Sequence, residues 1–593
     1  MRYNLILKSS IYFLVCILAF LVGLLSFRMV DPAPTVSPPE KFIAANSARH
    51  IKTISSVPHP MGTVENERVR DYIVNELSRL GLTAEVQTTQ VQDYYAKFGE
   101  SRLVDIHNVY VELPGKNSTG TIALAGHYDT APASPGANDD GSAVGTLLEF
   151  ARCILSGQPL KNDVLLIFTD AEEPGQFRYG ARYFVDNYDN INDVRLVLNF
   201  EALGRSGPSI MFETTPGNEE LVNAFSKATS NPIAFSFMND LIRIIAPGST
   251  DMIAFEEKGI SGMDFAYALE RTVYHTALDN TENLDERSLQ HHGNYAVDIT
   301  RYLGMRDLNE LTNHKKGDSV FHSFFGNTLL HYSQWPIIPL SIITGLLLFT
   351  MVIIGIRRNK LSLLGIFSSA LIFTGELLVI VIFTTLAWWG LDAAHLALGV
   401  VVEPTIKAHL LFCAFLVLSL LAMILWRKLL NKRMNRLDIT FGPAVFWWIM
   451  TILSALYMPG FSFIMTWPLL FSLIPLAFIL FSENDSTSWK YLLVISVCSF
   501  TIIAIVIAPV YLLFEATGIS SPGFSGSPSF PIIGLSILFW VMLVSLLLPQ
   551  LAIFGELERK RIVFGILSVA MILLVIGIIL PGIDTGTLWI YGR

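Results

Sequence analysis

The chain has 593 residues, 52% of them hydrophobic, a mean hydropathy of +0.49 and a formal net charge of -9. It is too long for one domain and too apolar for a wholly soluble protein. The acidic excess lies largely before Glu310, so no basic face is offered to a nucleic acid. Cys16, Cys413 and Cys498 fall in apolar runs and only Cys153 lies outside them, so no disulfide framework is implied.

Residues 11–25 are apolar and follow Arg2 and Lys8, the pattern of a signal peptide or an anchor. No small-x-small cleavage site precedes the proline-rich stretch that starts at Asp31, so an uncleaved anchor over residues 1–31 is expected. A semi-rigid spacer over residues 32–48 follows. The globular part runs to about residue 310. Residues 64–80 predict a helix stopped by Gly81. Strand-like runs are expected near residues 104–113, 121–126, 164–169, 196–200 and 261–266, with a helix over 143–155. Alternating strands and helices predict an α/β sandwich around a mostly parallel sheet. Asn117-Ser118-Thr119 is an acceptor sequon.

After a polar linker over residues 311–335, long apolar runs occupy 337–356, 361–388, 409–426, 440–457, 463–481, 491–513, 531–554 and 562–580. About 20 helical residues cross a ~30 Å hydrocarbon core, so residues 336–593 predict an all-α, eight-span membrane domain, and nine spans with the anchor. The basic residues Arg357, Arg358, Lys360, Arg427, Lys428, Lys432, Arg433, Arg436, Lys490, Arg559, Lys560 and Arg561 fall on alternate loops, whereas the opposite side holds little beyond Lys407. The positive-inside rule then puts the globular domain outside the cytoplasm. A bacterial inner membrane with a periplasmic domain and a eukaryotic endomembrane with a lumenal one share this topology. The nearly uncharged hairpin at Pro459 reads as two spans or as a re-entrant pair.

Acidic and histidine residues follow strand ends repeatedly. His127-Tyr128-Asp129 ends the first buried strand, and Asn138-Asp139-Asp140-Gly141 lies just beyond. Asp170 to Glu173 ends the next, Glu201 a third, and Tyr274-His275-Thr276 follows the last. The carboxyl edge of an open α/β sheet is where ligands bind. Adjacent aspartates repel unless a cation stands between them, and imidazole with carboxylate suits zinc. A two-metal site needs a bridging carboxylate. Asp139 supplies it, His127 and Glu201 hold one metal, and Glu173 and His275 the other. Glu172 is left over, placed to act as general base. Asp129 can hydrogen-bond the far ring nitrogen of His127.

These motifs, in this order, resemble the co-catalytic zinc aminopeptidases of metallopeptidase family twenty-eight. The resemblance covers about Arg49 to Leu303, within an expected zinc peptidase domain over residues 49–310, and includes Pro58-His59-Pro60-Met61-Gly62. It implies a three-layer α/β/α zinc exopeptidase fold, two zinc ions per chain, the same residue roles and a cis peptide between Asp139 and Asp140. Many secreted members carry Asp where this chain has Glu201. The multi-span membrane branch, which includes endoplasmic reticulum metallopeptidase and vacuolar membrane protease, looks like this chain there, and is similar to it over residues 320–333.

Other titratable residues carry blander readings. His59, His291 and His292 read as loop or helix-surface residues, and Glu219-Glu220 and Glu256-Glu257 as solvated faces. Asp251 either lines the substrate pocket or caps a helix, and Tyr274 either assists an oxyanion or packs. Asp279 is expected to orient the His275 loop. Glu376, a carboxylate inside a predicted span, reads as functional or as bonded to a neighbouring helix. The expected protein is a membrane-bound zinc aminopeptidase acting on peptides, with the lipid bilayer as its other partner. A one-zinc glutaminyl cyclase, a receptor-like scaffold without catalysis, and a transporter with an accessory peptidase domain are the alternatives.

Overall fold

The computed structural model describes residues 2–93, 95, 102–174, 177–311, 317–397, 400–401, 406–430, 433–481, 488–517, 533–551, 560–580 and 583–584. The chain divides into two compact units, one built on residues 27–333 and one on residues 1–26 with the helices after Gln334. Helix α1 (Arg2–Leu24) belongs to the latter.

The first unit runs α2 (Ala44–Ile54), α3 (Val64–Arg79), β1 (Glu85–Gln92), β2 (Leu103–Leu113), β3 (Thr121–His127), α4 (Gly141–Ser156), β4 (Asp163–Thr169), α5 (Tyr179–Asn187), β5 (Val194–Ala202), β6 (Ile210–Thr214), α6 (Glu219–Ala228), α7 (Ser236–Ile245), α8 (Met252–Glu257), β7 (Ser261–Tyr267), α9 (Glu286–Leu303) and α10 (Leu308–Leu311). A hairpin of β8 (Ser319–Phe324) and β9 (Thr328–Ser333) completes it. Helix α3 shows how local chemistry sets these limits. Thr63 accepts a hydrogen bond from the Asn66 amide at its start, Val69, Ile73 and Leu77 form its buried stripe, and Gly81, at φ +81°, stops it.

Seven strands form one sheet in the order β1-β2-β4-β3-β5-β7-β6. The four central strands run parallel, while β2 joins β4, β1 joins β2, and β6 joins β7 antiparallel. The sheet is thus parallel only at its centre. Alternation along the central strands feeds two cores. Ile122, Leu124, Leu166, Leu198 and Phe200 pack with α2, α3, α4, α6 and α9, whereas Ala123, Ala125, Leu165, Ile167 and Val197 pack with α5 and α8. This is a three-layer α/β/α sandwich. Parallel strands buried on both faces carry their loops at one edge, which is where β3, β4, β5 and β7 all deliver their carboxyl ends.

Two expected boundaries move. Residues 319–333, read as part of a linker, form the β8–β9 hairpin inside the first unit: Phe321 and Leu329 enter its core, and the Ser323 amide donates to the Ala234 carbonyl at 3.1 Å. The proline-rich stretch is likewise tied down, since the Ala33 amide donates to Gln290 at 2.8 Å.

The second unit contains α11 (Ile337–Arg357), α12 (Leu363–Ala397), α13 (Ile406–Leu430), α14 (Arg436–Tyr457), α15 (Ser462–Phe481), α16 (Trp489–Thr517), α17 (Ile533–Leu551) and α18 (Lys560–Ile579). Among the described residues seven helices, that of α1 included, are long and apolar enough to cross a membrane, and the apolar stretches Ile533–Leu547 and Val563–Ile579 are shorter. Helices α14 and α15, 22 and 20 residues long, flank the Pro459 turn, and each has the length of a full crossing. Helix α1 packs on α16, where the Tyr12 and Ser499 hydroxyls meet at 2.7 Å. Lys432 and Arg559, used above to orient the spans, lie outside the described residues.

Candidate metal centre

The last residue of β3 is His127, in register with Thr169 of β4, and Glu201 lies near the end of β5. The loops that follow these strands close over them. Gly141 opens α4 with its Cα so near the Gly136 carbonyl that a Cβ would stand 2.4 Å from it, so only glycine fits. Asp140 caps α4, accepting the Ala143 amide at 3.2 Å, and also takes the His127 amide at 3.2 Å. One member of the aspartate pair is therefore spent on the backbone, and Asp139 faces the opposite way. The peptide bond between them is cis, as the resemblance implies.

Asp139 stands between the two histidines. Its Oδ1 is 3.4 Å from His127 Nε2 and its Oδ2 is 3.2 Å from His275 Nε2. Around His127 Nε2 lie Glu201 Oε2 at 3.6 Å and Glu172 Oε2 at 3.9 Å, while Glu173 Oε2 is 3.1 Å from His275 Nε2. All the expected ligands thus meet in one place. The ligand atoms of His127, Asp139 and Glu173, and those of His127, Glu172 and Glu201, lie within 4.8 Å of one another, the spacing of groups around a cation. Oε1 of Glu173 is buried with no hydrogen-bond partner, as a ligand oxygen would be. The donor set, two imidazoles and several carboxylates, fits zinc.

The electrostatics point the same way. Burial pushes the Glu173 carboxyl up to about 7 against the pull of His275. Burial also opposes charge on His275, yet Glu173 and Asp139 outweigh it and hold that imidazole up at about 10. A cage with this surplus of negative charge binds protons where no metal cation is held, and releases them to one.

The supports are specific. His127 Nδ1 lies 3.0 Å from the backbone carbonyl of Asp129 and 3.5 Å from its Oδ1, so Nδ1 carries the proton and Nε2 faces the cage. The carbonyl is the nearer partner. The Asp129 carboxylate also accepts the amides of Glu172 at 3.0 Å and Glu173 at 3.2 Å, clamping the neighbouring turn, which Ala171 enters at φ +62°. His275 itself has φ +58°, a left-handed backbone uncommon outside glycine and frequent at functional sites. Tyr274 is buried and its ring stacks on that of His275 at 3.8 Å. Asp251 does not cap α8. Its carboxylate accepts the Thr169 hydroxyl and its Oδ1 is buried without a hydrogen bond. Asp279 does not orient His275 chiefly. It accepts the amides of Asn138 at 2.7 Å and Asp139 at 3.2 Å, and so orients the bridging aspartate.

Residues 108–300 match peptidase family M28. The chain carries an M28 peptidase domain. It is 27% identical over 326 residues to a vacuolar membrane protease of Candida dubliniensis, covering 53% of this chain and 34% of that one. It is 25% identical over 428 residues to a vacuolar membrane protease of Schizosaccharomyces pombe, with 68% and 49% covered. The endoplasmic reticulum metallopeptidase 1 of Rattus norvegicus is 27% identical over 310 residues, with 49% and 34% covered. The matches therefore span a third to a half of those longer relatives. An aminopeptidase from Aneurinibacillus sp. strain AM-1 aligns structurally over 45% of this chain and 95% of its own at 17% identity, with a TM-score of 0.38.

Within the M28 domain, several supporting residues carry no strand-end signal and escape sequence reading. Asn199 donates to Glu201 Oε1 at 3.0 Å and to Asp264 Oδ1 at 3.1 Å, and Thr250 donates to the other oxygen of Asp264. The Asn199-Asp264 register pair on β5 and β7 is the only sequence clue, two polar residues inside apolar strands. His291 and His292 are buried, not on the helix surface. His292 Nε2 donates to the Glu201 carbonyl at 3.0 Å, and its Nδ1 pairs with the Ser209 hydroxyl at 2.7 Å. His59 is buried too. Glu256 and Glu257 are not merely solvated, since Arg243 and Arg182 pair with them. Glu376 Oε1 is buried without a hydrogen bond beside a cavity that Arg427 also lines.

Proposed function

We propose that this protein is a membrane-bound zinc metallopeptidase that removes amino-terminal residues from peptides at a two-zinc site on the non-cytoplasmic side. One observation carries the reading: Asp139 presents one oxygen to each of two histidines, the disposition of a bridging carboxylate between two cations. His127 and Glu201 would complete one metal site, Glu173 and His275 the other. Bound zinc would polarise the scissile carbonyl and acidify the attacking water. Glu172 takes that water's proton on Oε2, the oxygen turned toward His127, and returns it to the leaving amine. Asp129 holds His127 and the Glu172-Glu173 turn together. The free Oδ1 of Asp251, close to His127, Glu201 and Arg178, suits a substrate ammonium group, which supports an aminopeptidase. Tyr274 walls the same site.

The test uses the full chain in detergent. Elemental analysis should find two zinc ions per chain. Amino-acid amides should be hydrolysed and amino-terminally blocked peptides left intact, with activity lost to a chelator and restored by zinc. One zinc per chain together with cyclisation of amino-terminal glutamine would replace this reading, and two zinc ions with no hydrolysis would end it.

A further inference from the structure

Glu172 and Glu173 are neighbours of equal reach, yet the two-zinc reading, on which this inference rests, gives metal to one and a proton to the other. Their surroundings differ, and the contacts of Arg178 fall on Glu172. Arg178 is buried, and its Nε stands 3.0 Å from Glu172 Oε1 while its Nη1 donates to the Glu172 carbonyl at 2.8 Å. Its Nη2 donates to the Ser249 carbonyl, fixing the loop that leads to Asp251. The guanidinium fork thus ion-pairs with one carboxylate oxygen of Glu172, hydrogen-bonds its backbone carbonyl and braces it against a second loop. Arg178 itself enters α5 from a left-handed backbone, φ +47°.

The consequence falls on Glu172. Oε1 is committed to Arg178, and Oε2 remains 3.9 Å from His127 Nε2, farther than Asp139 at 3.4 Å or Glu201 at 3.6 Å. The Glu173 Oε1 has no such partner. Without the fork, Glu172 could close on a cation, since its oxygen already falls within 4.8 Å of the His127 and Glu201 ligand atoms. A carboxylate oxygen ion-paired with a buried guanidinium is a weaker and less mobile ligand. We propose that Arg178 is a positioning residue that withholds Glu172 from the metal and so keeps it as the proton carrier.

The experiment compares full-length parent, Arg178→Gln, Arg178→Lys, Glu172→Gln and the Arg178→Gln/Glu172→Gln double variant. Zinc affinity is read by competition with a chromophoric chelator, and kcat and KM on an amino-acid amide. Arg178→Gln should bind zinc at least about threefold more tightly and lose at least about tenfold in kcat, with KM within about twofold. Arg178→Lys should fall between it and the parent. In the Glu172→Gln background, Arg178→Gln should leave zinc affinity unchanged, because the withheld ligand is gone. Unchanged or weaker zinc binding in Arg178→Gln, or a gain that persists in the double variant, overturns the proposal. Should Arg178→Gln not fold, Arg178→Lys decides, and parental values of both zinc affinity and kcat overturn it. A parent that binds zinc but hydrolyses no amide ends the peptidase reading while the zinc comparison still judges Arg178.

Discussion

Two histidine pairs sit inside the same α/β unit in opposite electrostatic surroundings. His127 and His275 face carboxylates, which overcome the cost of burial and push both imidazoles above their ordinary range. His291 and His292, side by side on α9, are equally enclosed, but they meet carbonyls, a hydroxyl and an amide, and burial pushes them down to about 4 and about 3. Burial therefore does not mark a histidine as functional. The sign of what surrounds it does, because only a ring set among surplus carboxylates stands where a cation would be stabilised. The pairs are joined, since His292 supports Glu201 through its carbonyl.

The sharpest way to break this contrast is to remove the proton carrier and leave the cage. Glu172→Gln should lower kcat by about 10² to 10⁴-fold while both zinc ions remain, as elemental analysis and steady-state kinetics on one sample will show. Loss of zinc would move Glu172 into the cage, and parental turnover would strip it of its role.

Much of this centre is legible because three buried strands are apolar runs that end at or just before a candidate ligand: β3 at His127, β4 four residues before Glu173, and β5 beside Glu201. Less legible are elements whose pattern is set by their neighbours. Strand β1, Glu-Val-Gln-Thr-Thr-Gln-Val-Gln, is polar and exposed, and pairs only at the sheet edge. Helix α9 packs against α2, α4, α6 and β7, so it buries residues all round and His291 and His292 are drawn inside despite their polarity. Hairpin β8–β9 looks like a linker until Phe321 and Leu329 find the core. Asn199 and Asp264 are only two positions in separate strands until the register β5–β7 pairs them.

That register pair gives the next effect in size. Asn199→Leu removes the donor to Glu201 Oε1, keeps the branching of the side chain, and leaves Asp264 short of a partner. Zinc affinity should fall about 10 to 100-fold, the usual cost of losing a group that orients a ligand, and the zinc-free protein should also melt lower, because two buried acceptors lose their donor. An affinity equal to the parent's would show that β5 and His292 hold Glu201 without it.

The smallest effect tests the neutral pair by pH. His291 has a folded-state pKa of about 4, lowered by burial and partly offset by the Asn231 carbonyl, against about 6.5 in an unfolded chain. Between those values the unfolded chain holds a proton that the folded one does not, so stability falls as pH drops through 6.5 and stops falling below about 4. At pH 5 the loss is about 2 kcal/mol or less. His291→Gln keeps a donor for the Asn231 carbonyl and an acceptor for the Ser209 amide, but cannot titrate. Its melting temperature should consequently drop less than the parent's between pH 7.5 and pH 5, with a chelator present in both so that metal release does not contribute. His275 carries the opposite sign: its pKa of about 10 adds stability that is fully present below about 6.5 and is lost as pH rises from there through 10, so it cannot cause the same acid sensitivity. Equal pH dependence in parent and His291→Gln would mean that His291 titrates alike folded and unfolded, and the contrast between the two histidine pairs would then rest on His292.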